Sequence, residues 1–268
     1  MTGWRLLIAA CCLLWAGLVE ARTVVLIHGL ASGPGTWYRH KVVQPLLASG
    51  FADGGMLPEA PNWLATRAKD VVYTVHLPWW APLEVQGRLL DWVLKPLYQR
   101  RHEPVILVGH STGGVVARLY SLGPRQIRVP VAGVITIASP NRGTPFAKLA
   151  WRMLDSPMGS MLKSMDNKSE RFYWARKLLW QISADTANPI RWMNRMPHPP
   201  EVRYVSLVHT RKFDLKRGDF SLVVPPAYQD LRRVPALAGR ALSIPVRAGH
   251  QLRPVDGWVL ADLLRRQF

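Results

Sequence analysis

Short apolar runs alternate along the chain with segments in which apolar residues recur at helical spacing. The runs are rich in Val and Ile and stop at Gly, Pro or His, which is typical of buried strands. They predict strands over 23–29, 71–78, 104–111, 131–139, 202–209 and 241–250, with helices over 83–100, 112–122 and 255–266. Such alternation predicts an α/β fold, a mostly parallel sheet covered by helices on both faces.

The interval between Thr144 and Val202 interrupts this alternation. It holds methionines and tryptophans in excess, and Met158, Met161, Leu162 and Met165 fall on one helical face. We interpret residues 145–200 as a helical cap inserted above the edge of the sheet, within one domain that spans 22–268. The alternative is that the methionine stripe only packs on the core.

Residues 1–21 combine one arginine, an apolar run from Leu6 to Val19 and a small-residue cleavage site at 19–21. This pattern predicts a secretory signal peptide and an exported protein, because the run is shorter than the roughly 20 residues that span a bilayer. An uncleaved apolar helix that keeps the protein at a membrane is the alternative. Both cysteines, Cys11 and Cys12, lie in this segment, so an exported chain has no thiol nucleophile and no cysteine-ligated zinc.

The formal net charge is +18, which indicates either a negatively charged partner or a role of the charge in solubility. Nucleic-acid binding is not predicted, because the arginines are spread along the chain and no basic run alternates with stacking aromatic residues. A basic surface that keeps the protein soluble is one interpretation. Peripheral contact with an anionic membrane surface is the other.

The segment Gly109-His110-Ser111-Thr112-Gly113 follows the apolar run 105–108 and opens a predicted helix. A strand that feeds a helix through a very tight turn strains the central residue and leaves no room for side chains two positions away on either side. Glycines at those positions remove the collision and leave the serine hydroxyl accessible. Ser111 is therefore the candidate nucleophile.

A serine nucleophile needs a base and an acid that orients the base. His250 follows the last predicted strand, and the chain order of serine, acid and then histidine fits this kind of turn. The predicted acid is Asp219, which lies in a Gly-Asp turn shortly before the apolar segment 222–224. Asp214 is the alternative, and Asp230 lies further along the chain.

Acyl transfer also needs N–H donors for the developing oxyanion. One is predicted to be the backbone N–H of Thr112, directly after the nucleophile. The other is predicted to be the N–H of Leu30, where Gly29 lets the chain turn after the first strand.

The chain resembles the α/β-hydrolase superfamily, in particular bacterial lipases and esterases, in the segments VVLIHGLASG, VILVGHSTGGVVARLY, ITIASPNRGTP and VRAGHQL. The resemblance implies an α/β-hydrolase fold and a serine hydrolase that cleaves small-molecule or lipid esters through an acyl-enzyme, without a cofactor. A thioesterase, an amidase, a polyester depolymerase and a non-catalytic binding protein remain alternatives on the same fold. Many secreted bacterial lipases carry an aspartate for structural calcium two positions after the histidine, where this chain has Leu252, so no metal is predicted.

Overall fold

The computed structural model describes residues 21–59, 65–124, 126–156, 169–184, 188–211 and 224–268. Several sequence predictions fall outside these residues. They are the N-terminal apolar segment, the stripe from Met158 to Met165, and both candidate acids, Asp214 and Asp219.

The described residues form a seven-stranded sheet in which every neighbouring pair is parallel. The strands are β1 (Arg22–Ile27), β2 (Ala52–Leu57), β3 (Asp70–Val75), β4 (Val105–His110), β5 (Val131–Ile137), β6 (Arg203–His209) and β7 (Leu242–Val246). Their order across the sheet is β2-β3-β1-β4-β5-β6-β7. This topology confirms the predicted α/β class.

Helices connect most of the strands. The described α-helices are α1 (Thr36–Arg39), α2 (Val43–Ala48), α3 (Leu83–Arg101), α4 (Thr112–Ser121), α5 (Pro145–Leu154), α6 (Ser169–Gln181), α7 (Pro189–Met193), α8 (Pro226–Gln229) and α9 (Pro254–Gln267). Short 3-10 turns lie at Ala65–Arg67, Leu231–Arg233 and Pro235–Leu237. Helices α5, α6 and α7 all belong to the interval between β5 and β6 for which the sequence predicts an insertion.

The central strands are apolar along their whole length because both faces of the sheet are covered. Val25 and Ile27 of β1 belong to the core shared with α3 and α4. Val24 and Leu26 alternate with them and belong to the opposite core, which α2 and α9 complete. Burial of both faces explains why the five inner strands, β3, β1, β4, β5 and β6, are readable as continuous apolar runs. The sequence also predicts the sixth strand, the edge strand β7, although it is partly exposed.

Strand β2 was not predicted, because its sequence, Ala52-Asp53-Gly54-Gly55-Met56-Leu57, lacks an apolar run. It lies at the edge of the described sheet, where β3 is its one partner strand, with a bulge between Asp53 and Gly55. Tyr73 of β3 packs where a side chain at position 54 would be, since a Cβ there would lie 2.2 Å from its ring. The strand therefore depends on pairing with its neighbour and on this close contact.

Parallel strands bring their carboxyl ends to one edge of the sheet, and the loops at that edge form a ligand site in open α/β sheets. His28 follows β1, Ser111 follows β4, and His209 ends β6. Within the part of the chain that the structure describes, no helix is long and apolar enough to cross a bilayer.

Candidate active site

Ser111 occupies the turn between β4 and α4 with φ 53° and ψ −126°. A residue other than glycine is strained at such a positive φ, as a nucleophile turn requires. A Cβ at Gly109 would lie 2.2 Å from the backbone nitrogen of Gly114, and one at Gly113 would lie 2.4 Å from the carbonyl oxygen of Ile27. Backbone packing therefore requires both flanking glycines, as the sequence predicts.

The structure brings Ser111 and His250 together although 139 positions separate them along the chain. The distance between Ser111 Oγ and His250 Nε2 is 3.1 Å, within hydrogen-bond range. His250 lies in the loop after β7. Strand β7 ends at Val246 and is therefore shorter than the predicted strand over 241–250. When the serine hydroxyl donates to Nε2, the neutral imidazole carries its own proton on Nδ1.

His110, the residue before the serine, contacts the loop that carries His250. Its Nε2 lies 2.8 Å from the carbonyl oxygen of His250, and because a carbonyl only accepts, the ring donates this bond. Trp37 packs edge-on against the His110 ring with centroids 6.5 Å apart. Burial lowers the pKa of His110 to about 4, so the ring is neutral at neutral pH. His110 is therefore a neutral donor that links the nucleophile turn to the His250 loop.

A second imidazole holds the same loop from β6. His209 donates through Nδ1 to the carbonyl oxygen of Gly249, and its Nε2 lies 2.8 Å from Asp256 Oδ1. The other oxygen of Asp256 accepts from the backbone N–H of Arg253 at 2.7 Å, in the first turn of α9. These bonds fix both ends of the segment from Gly249 to Arg253.

The surroundings of His250 favour its neutral form. Burial, followed by the neighbouring imidazoles of His110 and His209, lowers its pKa to about 3 among the groups that the structure describes. A neutral imidazole is the form that can accept a proton from a serine hydroxyl.

Ser111 and His250 face a cavity of about 770 Å³. Leu30 and Thr112, the two predicted oxyanion donors, line the same cavity. Thr112 is the first residue of α4, where backbone N–H groups have no acceptor within the helix. The cavity therefore unites the described residues that the sequence selected as nucleophile, base and oxyanion donors.

The cavity wall has two chemically different parts. One part is apolar and comes partly from the insertion: Trp79, Phe146, Ala147, Leu179, Ile182 and Val224. The other part is polar and comes from the segment after β1, from α1 and from the residue that follows α1: Ser32, Thr36, Arg39 and His40. Apolar walls with a few polar groups are the usual composition of small-molecule sites.

The segment 139–145 lies between the cavity and a buried polar network. Asn141 donates to Thr136 Oγ1 at 2.9 Å and to the carbonyl oxygen of Gln229 at 2.6 Å. The fully buried Arg118 of α4 donates to the Asn141 carbonyl at 3.0 Å and to Asn194 Oδ1 at 2.7 Å. These bonds fix Pro140 and Thr144, which line the cavity.

Of the three aspartates considered as acid, only Asp230 lies among the described residues. Its carboxylate binds the Arg232 side chain at 2.9 Å, and it does not line the cavity. Burial raises its pKa, but the bonds from Arg232 outweigh this, so that the pKa is lowered overall. Asp230 is thus held by Arg232 away from the cavity.

The described residues contain no group of three or more His, Cys, Asp or Glu side chains arranged to hold a metal ion. Leu252, at the position where a calcium ligand was considered, is buried and lines the cavity wall.

A family model described as the alpha/beta hydrolase family matches residues 24–264. The chain belongs to this family. The match includes most of β1, the serine turn and the loop that carries His250. Curated protein sequences gave no match.

Solved structures of a lipase, a carboxyl esterase and a further bacterial protein superpose on this chain at low sequence identity. The mature form of the Bacillus licheniformis lipase BlEst2 is 15% identical with a TM-score of 0.62, and the match covers 92% of each chain. A Listeria innocua gene product is 15% identical with a TM-score of 0.63, covering 93% of this chain and 95% of its own. The metagenomic carboxyl esterase MGS0156 is 14% identical with a TM-score of 0.58, and the match covers 91% of this chain and 75% of the esterase chain. These likenesses show the α/β-hydrolase fold.

Sequence reasoning missed the pair formed by His209 and Asp256. A signal was present in each half: His209 ends an apolar strand, and Asp256 stands in the first turn of a helix that begins with Pro254. Neither signal predicts that the two residues are in contact, because they lie 47 positions apart in the sequence.

Proposed function

We propose that this hydrolase-family member is a serine hydrolase that cleaves carboxylic esters through an acyl-enzyme. The observation that carries the proposal is the hydrogen bond of 3.1 Å between Ser111 Oγ and His250 Nε2, at a strained turn that faces a partly apolar cavity. Ester substrates, small or lipid-like, fit such a cavity, and the lipase and esterase neighbours support the choice.

In the first half of the reaction, His250 Nε2 takes the Ser111 proton while Oγ bonds to the acyl carbon. The carbonyl oxygen becomes an oxyanion, which the N–H groups of Leu30 and Thr112 stabilise in this proposal. When the tetrahedral intermediate collapses, the bond to the alcohol breaks and His250 returns the proton to the leaving oxygen. The acyl group is then bound to Ser111.

In the second half, water replaces the alcohol. His250 takes a proton from the water as its oxygen attacks the acyl carbon, and it returns that proton to Ser111 Oγ when the acid is released. The positive imidazole that forms in each half needs a stabilising carboxylate on Nδ1. We propose Asp219 for this role, because it lies between β6 and β7 in the chain order that the family uses and, unlike Asp214, shortly before the apolar segment 222–224.

Helices α5 and α6 are proposed to act as the cap over this site. Phe146 and Ala147 of α5, Leu179 of α6 and Ile182 directly after it supply much of the apolar cavity wall. An acyl chain bound there would contact the insertion rather than the sheet. Acyl chain length should therefore affect the rate, because each buried CH₂ contributes about 0.8 kcal/mol.

The test is hydrolysis of 4-nitrophenyl esters of graded chain length by the wild type and by Ser111→Ala. Removing the nucleophile should lower the rate by a factor on the order of 10⁴ to 10⁶, because triad residues act as a unit. Ser49→Ala, which trims a serine at the end of α2, is the matched control and should keep full activity.

Labelling separates the remaining possibilities. A fluorophosphonate should modify Ser111 and no other serine, as read by peptide mass spectrometry. If Ser111→Ala keeps a tenth of the activity, the nucleophile assignment is wrong. If Ser111 is labelled and the unlabelled enzyme cleaves thioesters, amides or polyesters but no simple esters, the alternative substrate classes replace this one. No labelling and no turnover would indicate a binding protein.

A further inference from the structure

The polar wall of the cavity carries positive charge. Arg39, the last residue of α1, is exposed and lines the cavity together with His40. No carboxylate lines the cavity among the residues that the structure describes. An ester bound to Ser111 therefore lies between an apolar wall and a basic one.

Arg253 adds to this charge from the loop after His250. Burial lowers the pKa of His40, and the charges of Arg253 and Arg39 lower it further, in that order. Two guanidinium groups thus act on the same imidazole, one from the α1 segment and one from the start of α9. Both arginines therefore act close to His40, and of the two Arg39 is the one that lines the cavity.

We propose that the substrate carries an anionic group, a carboxylate or a phosphate, and that Arg39 binds it at the polar wall of the cavity. This inference rests on the proposed ester hydrolysis and adds the substrate class. The apolar wall holds a hydrocarbon part, while the guanidinium recognises the anion through paired N–H donors. Arg39 is then a specificity residue, with no part in the bond-making steps.

Two pairs of soluble substrates locate the anionic group. Mono-4-nitrophenyl glutarate carries a carboxylate on the acyl side and is compared with neutral 4-nitrophenyl pentanoate. The ester 4-acetoxybenzoate carries it on the alcohol side and is compared with 4-acetoxybenzamide. All are used as monomers, so that binding to a lipid surface does not contribute.

The measured quantity is the ratio of kcat/KM for the anionic substrate to kcat/KM for its neutral partner. In one of the two pairs, Arg39→Gln should lower this ratio about fivefold, the size expected for one solvated ion pair. Arg39→Lys, which keeps the charge, should restore most of the ratio. Added salt should lower the wild-type ratio through screening.

Arg265→Gln is the matched control. It removes one exposed arginine from α9, and Arg265 is not among the residues that line the cavity. It should leave the ratio unchanged, which separates a local effect from the loss of overall charge. Arg39→Glu extends the test, since it should raise kcat/KM for the cationic ester butyrylcholine relative to kcat/KM for the glutarate hemiester.

The outcomes distinguish the two proposals. If the neutral esters are cleaved in a Ser111-dependent way but neither ratio responds to Arg39→Gln, the anionic substrate class is wrong and ester hydrolysis stands. If Arg265→Gln lowers the ratio equally, overall charge accounts for the preference and Arg39 is not the binding residue. If no ester of either pair is cleaved, ester hydrolysis itself fails.

Discussion

Nε2 of His209 lies 2.8 Å from Oδ1 of Asp256, and both side chains are almost completely buried. His209 donates through Nδ1 to the Gly249 carbonyl, so each of its two ring nitrogens has one buried partner. The pair joins the end of β6 to the first turn of α9, and the loop with His250 lies between those points.

We expect Asp256→Ala to destabilise the fold by about 3 kcal/mol, because it leaves a buried imidazole without its partner. Asp256→Asn should cost less, since an amide can donate to the neutral ring. If the pair positions His250, both variants should lower kcat more than they raise KM. Urea unfolding and ester kinetics measure the two effects. Loss of stability with an unchanged kcat would mean that the pair serves only the fold.

The Ser111 turn, the parallel sheet and most element boundaries were predictable because each depends on local sequence. Gly109 and Gly113 are needed because backbone atoms approach closely two residues before and after the serine. The apolar composition of the inner strands follows from burial on both faces of the sheet. Strand β2 was missed because the pairing with β3 stabilises it, whereas its own residues, Asp53 and Gly54, disfavour a strand.

The candidate site shows the same limit: the sequence selects residues by motif and chain order, and the structure shows which of them lie together. Chain order and motif were sufficient to select His250, because few histidines follow a late strand. They could not select His209 or Arg39, whose roles depend on which loops meet at the sheet edge. Which loops meet is known only once the order of the strands in the sheet is known. In that order β4 and β6 lie on either side of β5.

The acid is tested by comparing Asp219→Asn with Asp214→Asn. An amide at the true position cannot stabilise the positive imidazole and favours the wrong tautomer, which lowered kcat about 10⁴-fold in a well-studied triad. We expect this loss for Asp219→Asn and a small change for Asp214→Asn, measured with a short-chain 4-nitrophenyl ester. Asp230→Asn, outside the cavity, is the control. A severe loss in Asp214→Asn alone would reverse the assignment.

Acid should destabilise the protein through its buried histidines, and His198 gives a test away from the proposed catalytic site. Its Nδ1 donates to the Met196 carbonyl at 2.9 Å, and its Nε2 lies 3.4 Å from Nη2 of Arg118. Burial, followed by the charge of Arg118, lowers its pKa to about 4 from 6.5. Between those two pH values the unfolded chain binds the proton and the folded chain does not, so stability falls as pH falls.

We therefore expect His198→Gln to flatten the pH dependence of the unfolding free energy between pH 6.5 and 4. The slope should decrease by up to about 1.4 kcal/mol per pH unit, the contribution of one proton. Urea denaturation at several pH values measures it. His102→Gln, which removes an exposed imidazole, should leave the slope as it is. An equal slope in wild type and His198→Gln would show that His198 is protonated in the folded state.

The exposed face of α5 offers a described surface for the predicted contact with anionic membranes. Phe146, Leu149 and Met153 are 45%, 60% and 49% exposed and lie on one side of the helix, with Lys148 and Arg152 close by in the sequence. Phe146 also lines the cavity, so a lipid surface at this face would adjoin the proposed site. An apolar helical face with basic neighbours is typical of helices that lie in a membrane interface.

We expect the protein to sediment with anionic phosphatidylglycerol vesicles more than with neutral phosphatidylcholine vesicles, and added salt to reduce the difference. Leu149→Gln should weaken binding roughly tenfold, since a buried leucine contributes about 1.5–3 kcal/mol. The matched control is Val255→Gln, which replaces an exposed apolar residue on α9. If both variants bind like the wild type, α5 is not the contact surface. If both vesicle types bind equally at every salt concentration, the charge of +18 serves solubility instead.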